Sequence, residues 1–268
     1  MNISILYGGT SMEHKISIQT GMAVVGAIKN TYDFQMVQLD HDIDSIIKLL
    51  RKSDLVFNAL HGGDGENGNI QSLLNLHNIT YTGSGPGASK IAMDKNITKL
   101  IAQSINIPTP KWILLKRNIV KGMSLLNDKA AKFSYPYVVK PADEGSTFGL
   151  TIVLQESELA NAIGLATDFS NKIIIEEFIP GREITVGIIG NKTLPIVEIK
   201  PKHDVYDFEC KYQEGMSEYF VPADLKDSLR NKITEDALRI YNTIGCRHYA
   251  RVDFRLSDTN EYYLLEIN

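Results

Sequence analysis

The sequence predicts a mixed α/β protein with several lobes, the first of which contains a parallel sheet. At 268 residues the chain is too long for one small core and suits two or three packed lobes. Residues 3–90 alternate short apolar runs with helical stretches, which is the pattern of parallel strands covered by helices. Hydrophobic residues make up 43% and charged residues 22% of the chain, as is ordinary for a globular fold.

Composition and charge exclude several classes of protein. No window approaches the ~18 apolar residues of a membrane span, and a net charge of −4 argues against a nucleic-acid surface. The N-terminus has neither a basic leader nor a signal-type apolar core, and Cys210 and Cys246 lack the spacing of a zinc site. We expect a cytosolic protein with no membrane or nucleic-acid partner, whose ligand is a small anion held by a few local cations.

The order of elements follows from the apolar periodicity. In the first lobe, strands are expected at 3–7, 34–39 and 55–60 and helices at 14–29, 43–52 and 69–77. A helix at 94–104 then precedes strands at 112–115, 137–141, 150–154 and 172–178, with a helix at 157–169. The last part has strands at 183–189 and 194–200, an irregular polar stretch, a helix with Leu229, Ile233, Ala237, Ile240 and Ile244 on one face, and a hairpin of 249–256 and 261–268. Long irregular segments in compact domains are usually functional.

The closing hairpin carries the most informative pattern. Folding it about its turn places Asp253 opposite Glu266, and the alternation of side chains puts Arg251 and Asn268 on the same face. Two carboxylates about 5 Å apart would repel by roughly 3 kcal/mol at an effective dielectric near 20, unless a divalent cation lies between them. Such oxygen ligands suit Mg²⁺. A solvated sheet edge, or a bulge that shifts the register, explains the same residues equally well.

A glycine-rich connection at 143–149 is the second candidate element. It includes Ser146 and links two predicted strands, the first of which carries Lys140. Backbone N–H groups of such a hairpin can lie along phosphates while the lysine supplies positive charge. An ordinary hairpin tip is the alternative, and the chain has no GxxxxGK[ST] sequence of the P-loop class.

Weaker signals come from isolated positions. Lys95 follows a predicted N-cap, where the helix dipole disfavours a cation unless an anion is near. Glu183 is within reach of ribose hydroxyls if the end of the preceding strand faces an adenine, and a surface strand is the alternative. Glu13 begins a helix after a glycine turn without the GxGxxG pattern of dehydrogenases, and His61 follows a strand on the side where open α/β sheets bind ligands. Purely structural roles explain both residues as well.

Nine segments, taken together in order, resemble the D-alanine-D-alanine ligase family of the ATP-grasp superfamily. They are GGTSMEHKIS, LHGGDGENG, YTGSG, MDK, VVKPADEGSTFG, EEFIPGREITV, YDFECKY, ARVDF and LLEIN. The resemblance spans essentially the whole chain. It implies three lobes, with an N-terminal α/β domain at 1–92, a central ATP-grasp subdomain at 93–180 and a C-terminal one at 181–268, and with ATP clamped between the last two.

The resemblance also implies roles for single residues. For the nucleotide, Lys95 and Lys140 hold the α- and β-phosphates, Lys211 the γ-phosphate, Glu183 the ribose, and Glu176, Glu177, Phe178 and Ile179 the adenine. Two Mg²⁺ ions, for which Mn²⁺ can substitute, are held by Asp253, Glu266 and Asn268. For the substrate, Glu13 binds the ammonium of the first D-alanine with His61 beside it, and Arg251 and the glycine-loop backbone stabilise developing negative charge. Glu13, Ser146 and Tyr212 form a hydrogen-bonded set that ties the first lobe, the glycine loop and a lid at about 202–220 together over the site.

The implied reaction joins two D-alanine molecules through an acyl phosphate, for peptidoglycan synthesis, in a homodimer. The pair Lys211 and Tyr212 favours the dipeptide, and a ligase for D-lactate or D-serine is the alternative. The family continues beyond its Glu-x-Asn motif into a segment that contacts the second D-alanine, whereas this sequence stops at Asn268. A nucleotide-binding but inactive form is therefore a further alternative.

Overall fold

The computed structural model describes residues 1–40, 42–117, 133–203, 206, 208–213 and 215–268. They form two compact units, of which the first comprises 1–91 and 245–249 and the second comprises 92–244 and 250–268. One sheet is parallel and two are antiparallel, which confirms the predicted mixed α/β class. The division of residues 93–268 into two lobes stays a prediction.

The first unit is a parallel sheet covered by helices, as the periodicity predicts. Its strands are β1 (Asn2–Gly8), β2 (Asp33–Leu39) and β3 (Leu55–Asn58), in the order β2-β1-β3. Its helices are α1 (His14–Ile28), α2 (Ile43–Leu50), α3 (Asn69–Leu76) and α4 (Pro86–Met93), the last of which runs into the second unit. The core is formed by buried aliphatic side chains of the strands, α2 and α3, among them Leu6, Val56 and Leu74. The described helices include none long and apolar enough to cross a bilayer.

Helix α4 was not predicted, because Pro86 and Gly87 at its start are typical of loops. Proline is nevertheless tolerated at the first position of a helix, where its missing N–H has no partner within the helix. The helix is short, at eight residues, and its buried side chains are the small Ala88 and Ser89. It therefore shows no apolar stripe that the sequence could reveal.

The second unit begins with a four-stranded antiparallel sheet. Its strands are β4 (Trp112–Lys116), β5 (Tyr137–Pro141), β6 (Thr151–Val153) and β7 (Lys172–Glu177), in the order β4-β7-β5-β6. Helices α5 (Lys95–Ser104) and α6 (Leu159–Phe169) accompany it. Ile173 and Ile175 share a core with α6, so the alternation along β7 turns Ile174 and Glu176 to the opposite face. That face carries the site.

The second sheet of this unit has the order β11-β10-β8-β12-β13, and β9 pairs with β8. Its strands are β8 (Arg182–Ile189), β9 (Lys192–Thr193), β10 (Val197–Pro201), β11 (Ser217–Phe220), β12 (Tyr249–Leu256) and β13 (Tyr262–Ile267). Helix α7 (Phe208–Tyr212) precedes β11, and α8 (Asp227–Ile244) follows it. Of the five residues predicted on one face of α8, four are buried and Leu229 is half-buried.

The polar stretch after β10 is more regular than predicted. It contains α7 and β11, although residues 204, 205, 207 and 214 lie outside the described residues. A five-residue helix is too short to show a helical period, and a four-residue edge strand shows little alternation. The expectation of a wholly irregular segment was therefore wrong.

Candidate active site

A cleft in the second unit is lined by residues of both of its sheets. It encloses about 870 Å³, part of which is open to solvent, and this is the size of a site for a nucleotide-sized ligand. Aliphatic and aromatic side chains form its apolar walls, among them Val138, Ile152, Phe178 and Leu265. The eight residues predicted for the nucleotide all line it, namely Lys95, Lys140, Glu176, Glu177, Phe178, Ile179, Glu183 and Lys211.

Strand pairing brings Lys140 and Glu176 together. Val138 on β5 lies opposite Glu176 on β7, and Lys140, two residues along β5, is on the same face. Lys140 Nζ donates to Glu176 Oε1, and both side chains are buried. A carboxylate and an ammonium therefore meet in the wall of the cleft.

The N-terminus of α5 delivers Lys95. The side chain of Asp94 accepts a hydrogen bond from the Ile97 amide at 3.2 Å, so the predicted N-cap is confirmed. Lys95 follows it, and its Nζ donates to the carbonyl of Glu144 in the glycine loop at 2.7 Å and lies 3.0 Å from Glu266 Oε2. An anion does lie close to this lysine, as the helix-dipole argument requires.

Lys99 is a component of the site that the sequence reading missed. Its side chain is fully buried, and Nζ lies 2.9 Å from Glu176 Oε2 and donates to Thr109 Oγ1 at 2.8 Å. Burial lowers the pKa of Lys99 to about 8 despite the opposing charge of Glu176. Burial by itself would raise the pKa of Glu176, but Lys140 and Lys99 outweigh it and hold that pKa at about 2. A signal was present, because Lys99 is four residues after Lys95 on the same helix face.

Arg255 is the second missed residue, and it ties β12 to the link between β7 and β8. Its Nε donates to the Ile179 carbonyl at 3.1 Å and its Nη2 to the Gly181 carbonyl at 3.0 Å. Nη1 lies 3.5 Å from Glu183 Oε2, and the guanidinium lies over the Phe178 ring. The period of two that grouped residues 251 and 253 also includes 255, so the pattern could have found it.

The closing hairpin has the predicted pairing, with Asp253 opposite Glu266. A bulge at Leu265 produces this register, and it turns two successive side chains, Leu265 and Glu266, into the lining of the cleft. Asp253 is buried, so an exposed sheet edge does not describe it. The sequence analysis treated a bulge as an alternative to the pairing of Asp253 with Glu266, whereas the structure contains both.

Asp253 is held by a dense set of donors. Arg251 donates to both carboxylate oxygens, from Nε at 3.0 Å and from Nη2 at 3.0 Å. Asn268 Nδ2 donates at 2.9 Å, and Thr185 Oγ1 donates to Oδ1. Arg251, Asp253 and Asn268 therefore share one face, as the alternation predicts.

The hairpin residues fit a hard divalent cation by their chemistry. Asp253 and Glu266 contribute carboxylate oxygens. The amide of Asn268 directs its nitrogen to Asp253, so its oxygen can coordinate a metal ion. Burial alone would raise the pKa of Glu266, but Lys95, Lys211 and Lys140 hold it far below its usual range, so the carboxylate is ionised. Within the described part of the chain no cluster contains three or more His, Cys, Asp or Glu side chains placed for a metal. The predicted set is consistent with this, because it has only two acids and its third member is an amide.

The glycine loop packs against α7. Ser146 and Thr147 have left-handed φ values of 49° and 66°, so the loop makes a tight turn. The Ser146 and Tyr212 hydroxyls are 3.1 Å apart, and the Thr147 hydroxyl donates to the Tyr206 carbonyl at 3.0 Å. Two members of the predicted three-residue set, Ser146 and Tyr212, are therefore hydrogen-bonded within this unit.

Glu13 and the loop around His61 meet in the first unit. Glu13 is buried, and a Cβ at Gly62 would lie only 2.5 Å from Glu13 Oε2, so the carboxylate lies where only glycine leaves room. Gly62 also has a φ of 64°, which favours glycine. His61 Nε2 is 2.8 Å from the Thr20 hydroxyl. The sequence reading gave no reason to expect Glu13 beside this loop except the family resemblance.

Comparisons with known proteins agree with one another. The family model for the C-terminus of D-ala D-ala ligase matches residues 101–268, and the model for its N-terminus matches residues 43–84. A D-alanine--D-alanine ligase from Aquifex aeolicus is 41% identical over all of this chain and 89% of its own length. A crystal structure of the Bacillus anthracis ligase has a TM-score of 0.87 at 34% identity, and the two chains are covered at 100% and 86%.

A second Bacillus anthracis structure, complexed with ATP, has a TM-score of 0.83 at 32% identity, and the two chains are covered at 100% and 85%. The likeness extends over the whole of this chain. The mixed α/β ATP-grasp fold that the resemblance implied is confirmed by these structures, whereas the boundaries of its lobes stay a prediction. The protein therefore belongs to the D-alanine-D-alanine ligase family.

Proposed function

We propose that this protein joins two D-alanine molecules to D-alanyl-D-alanine, for peptidoglycan synthesis, and converts ATP to ADP and phosphate. The observation that carries the proposal is the cleft, in which apolar walls lead to three lysines and then to paired carboxylates. The relative from Aquifex aeolicus and the ATP complex from Bacillus anthracis support the same reaction and the same nucleotide.

The nucleotide would lie along the cleft from its apolar to its cationic end. The adenine would contact the end of β7, and the ribose hydroxyls would donate to Glu183. Lys95 and Lys140 would hold the α- and β-phosphates and Lys211 the γ-phosphate. Each lysine has a partner in this structure, among them Glu266 for Lys95 and the Tyr206 ring for Lys211. An ammonium on a flexible stem suits the exchange of such a partner for a phosphate.

Asp253, Glu266 and Asn268 would hold two Mg²⁺ ions, with Mn²⁺ as a substitute. When bound, these ions would neutralise charge on the phosphate oxygens. The ionised state of Glu266, and the orientation of the Asn268 amide with its nitrogen toward Asp253, support this set of ligands. The hydrogen bonds to Asp253 would keep its carboxylate in one orientation.

The chemistry would depend on positioning rather than on a protein nucleophile. An oxygen of the first D-alanine carboxylate attacks the γ-phosphorus, the bond to the ADP oxygen breaks, and an acyl phosphate forms. The amine of the second D-alanine, once deprotonated, attacks the acyl carbon, and phosphate leaves. Arg251 and the N–H groups of the glycine loop would stabilise the negative charge that develops in both steps.

The remaining predicted residues would hold the first substrate and exclude water. Glu13 would bind its ammonium group with His61 beside it. The hydrogen bond between Ser146 and Tyr212 would hold the glycine loop against α7, within the segment 202–220 that would close over the site. A closed segment would protect the acyl phosphate from hydrolysis.

A coupled assay of ADP release tests this function. We expect release with D-alanine and none with L-alanine, and product analysis should give the dipeptide when D-lactate and D-serine compete as acceptors at neutral pH. ATP binding without release of ADP in the presence of D-alanine would contradict the proposed ligase activity. A product dominated by D-lactate would contradict the proposed acceptor.

We further propose a cytosolic homodimer without a nucleic-acid or membrane partner. The family resemblance supports the dimer, and the net charge of −4 supports the absence of nucleic acid. Sedimentation at assay concentrations measures the assembly. A fully active monomer would contradict the dimer.

A further inference from the structure

Lys99 lies behind the cleft rather than in it. Its side chain has no exposed area, and it contacts Oε2 of Glu176, whereas Lys140 contacts Oε1. Thr109, which accepts from Lys99, donates in turn to the carbonyl of Leu264 on β13 at 2.8 Å. Lys99 is therefore fixed between the two sheets, whereas Lys140 and Glu176 line the cleft.

The charges of this cluster are unequal, with two ammonium groups for one carboxylate. Glu176 is buried with an exposed fraction of 3%, so its charge needs a close partner. In the proposed function Lys140 leaves Glu176 to bind a phosphate. Glu176 would then be a buried carboxylate without a partner if Lys99 were absent, and such a charge is strongly destabilising.

We propose that Lys99 is a positioning residue, which keeps Glu176 neutralised and so frees Lys140 to bind the phosphates of the nucleotide. The inference rests on the proposed function for the binding of ATP by Lys140. It follows that the second lysine is needed in the nucleotide-bound state more than in the free one. Lys99 also keeps Glu176 ionised, so its oxygens act as acceptors only, as the amino group of an adenine requires.

The first variant is Lys99→Met, which keeps the length of the side chain and removes its charge. Glu176 then retains Lys140 as its partner, and ATP can attract Lys140 only by leaving the carboxylate unpaired. We expect the dissociation constant for ATP, measured by calorimetry, to rise about tenfold or more. A change of less than about twofold would overturn the inference, because it lies within the range of a neutral substitution.

The second variant, Lys99→Met with Glu176→Gln, separates positioning from a merely structural role. Glutamine keeps an acceptor oxygen for the adenine and has no charge to hold Lys140. We expect the double variant to bind ATP more tightly than Lys99→Met alone, which is a favourable coupling in a double-mutant cycle. A double variant no better than the single one would overturn the inference.

Ile163→Ala is the matched control for a loss of stability. Ile163 is buried in the core of α6 on the opposite face of the sheet from Glu176. Thermal unfolding of all variants shows whether ATP affinity follows stability. If Ile163→Ala weakens ATP binding as much as Lys99→Met does at an equal loss of stability, Lys99 has only a structural role and the inference falls.

The wild-type protein distinguishes the two proposals. ATP binding without D-alanine-dependent release of ADP would refute the proposed function and leave the role of Lys99 to the binding data. Normal activity together with unchanged ATP affinity in Lys99→Met would refute the role of Lys99 alone. No binding of ATP to the wild type would refute both.

Discussion

The two sheets that line the cleft hold their buried acids differently. On the first sheet, Glu176 is paired with Lys99, which is fully buried, and with Lys140, which lines the cleft and carries its ammonium group on a flexible stem. On the second, Asp253 accepts from the rigid fork of Arg251 and from short side chains of the same sheet. The first arrangement can give a cation to a ligand without moving the backbone, whereas the second fixes an oxygen donor in one orientation. The difference indicates that the first sheet exchanges a lysine between a carboxylate and a ligand, whereas the second sheet holds a preorganised site.

Glu266→Gln tests the preorganised side and should have the largest effect. It keeps the shape of the side chain and removes the charge that faces Lys95. We expect ADP release to fall about 100-fold, since loss of a metal ligand or its support has effects of this order. ATP binding should also lose its dependence on Mg²⁺, as measured by calorimetry with and without the ion.

Glu261→Gln is the control for this prediction. Glu261 lies in the same hairpin, is exposed and contacts Tyr263 near the turn. Its substitution should leave both readouts unchanged. An unchanged Mg²⁺ dependence in Glu266→Gln would show that the hairpin is not the metal end of the cleft.

Arg255→Lys tests whether the link between the sheets needs a rigid fork. Lysine keeps the positive charge but cannot make both bonds to the Ile179 and Gly181 carbonyls. We expect the KM for ATP to rise about tenfold with a smaller change in kcat, because the two hydrogen bonds that hold the link between β7 and β8 beside the proposed adenine position are lost.

The control is Arg239→Lys, because Arg239 also bonds a carboxylate and a backbone carbonyl. Its partners, Asp236 and Ile105, are not among the residues that line the cleft in the described part of the chain. Equal effects of the two substitutions on the KM for ATP would show that Arg255 acts through general stability.

The sequence was most informative where one short period decides the geometry. The alternation along β12 and β13 predicts that Arg251, Asp253 and Asn268 share a face, and their hydrogen bonds confirm it. The bulge at Leu265 could not be read from apolar alternation, because it depends on how the two strands close. The site was therefore predictable in its residue types and only partly in its register.

Contacts between distant segments were beyond the sequence pattern. Lys99 reads as an ordinary helical lysine, since its burial depends on Glu176, which is 77 positions later in the chain. The same holds for the carboxylate of Glu13, which fits against Gly62 only in the folded unit. Family resemblance supplied Glu13, whereas Lys99 needed the structure.

Glu183 provides a test by pH, because its carboxylate is buried and close to the charge of Asp253. Burial, and then the charge of Asp253, raise the pKa of Glu183 to about 7. The carboxylate is therefore mostly ionised at pH 8 and mostly protonated at pH 6, where only about a tenth remains ionised. We expect ATP affinity to fall several-fold as the pH decreases through 7, since ribose hydroxyls donate to the ionised form.

Glu183→Gln shows which part of this dependence belongs to the side chain. Protonation of the phosphates of ATP affects both proteins equally, so the difference between their pH profiles isolates Glu183. Parallel profiles for the two proteins would contradict the assignment of the ribose to this residue.

Tyr212→Phe should have the smallest effect, because the Tyr212 side chain is exposed and its hydrogen bond to Ser146 is between neutral groups. The substitution keeps the ring that packs on Phe208 and removes the hydroxyl. A neutral hydrogen bond contributes about 1 kcal/mol, so we expect kcat to fall about fivefold with little change in the melting temperature. Tyr219→Phe is matched to it, since Tyr219 bonds Tyr206 at 3.2 Å through its hydroxyl in the same part of the chain. Equal losses of kcat in both variants would mean that the two hydroxyls stabilise this segment as a whole. A loss confined to Tyr212→Phe would mean that the contact between α7 and the glycine loop contributes to the reaction.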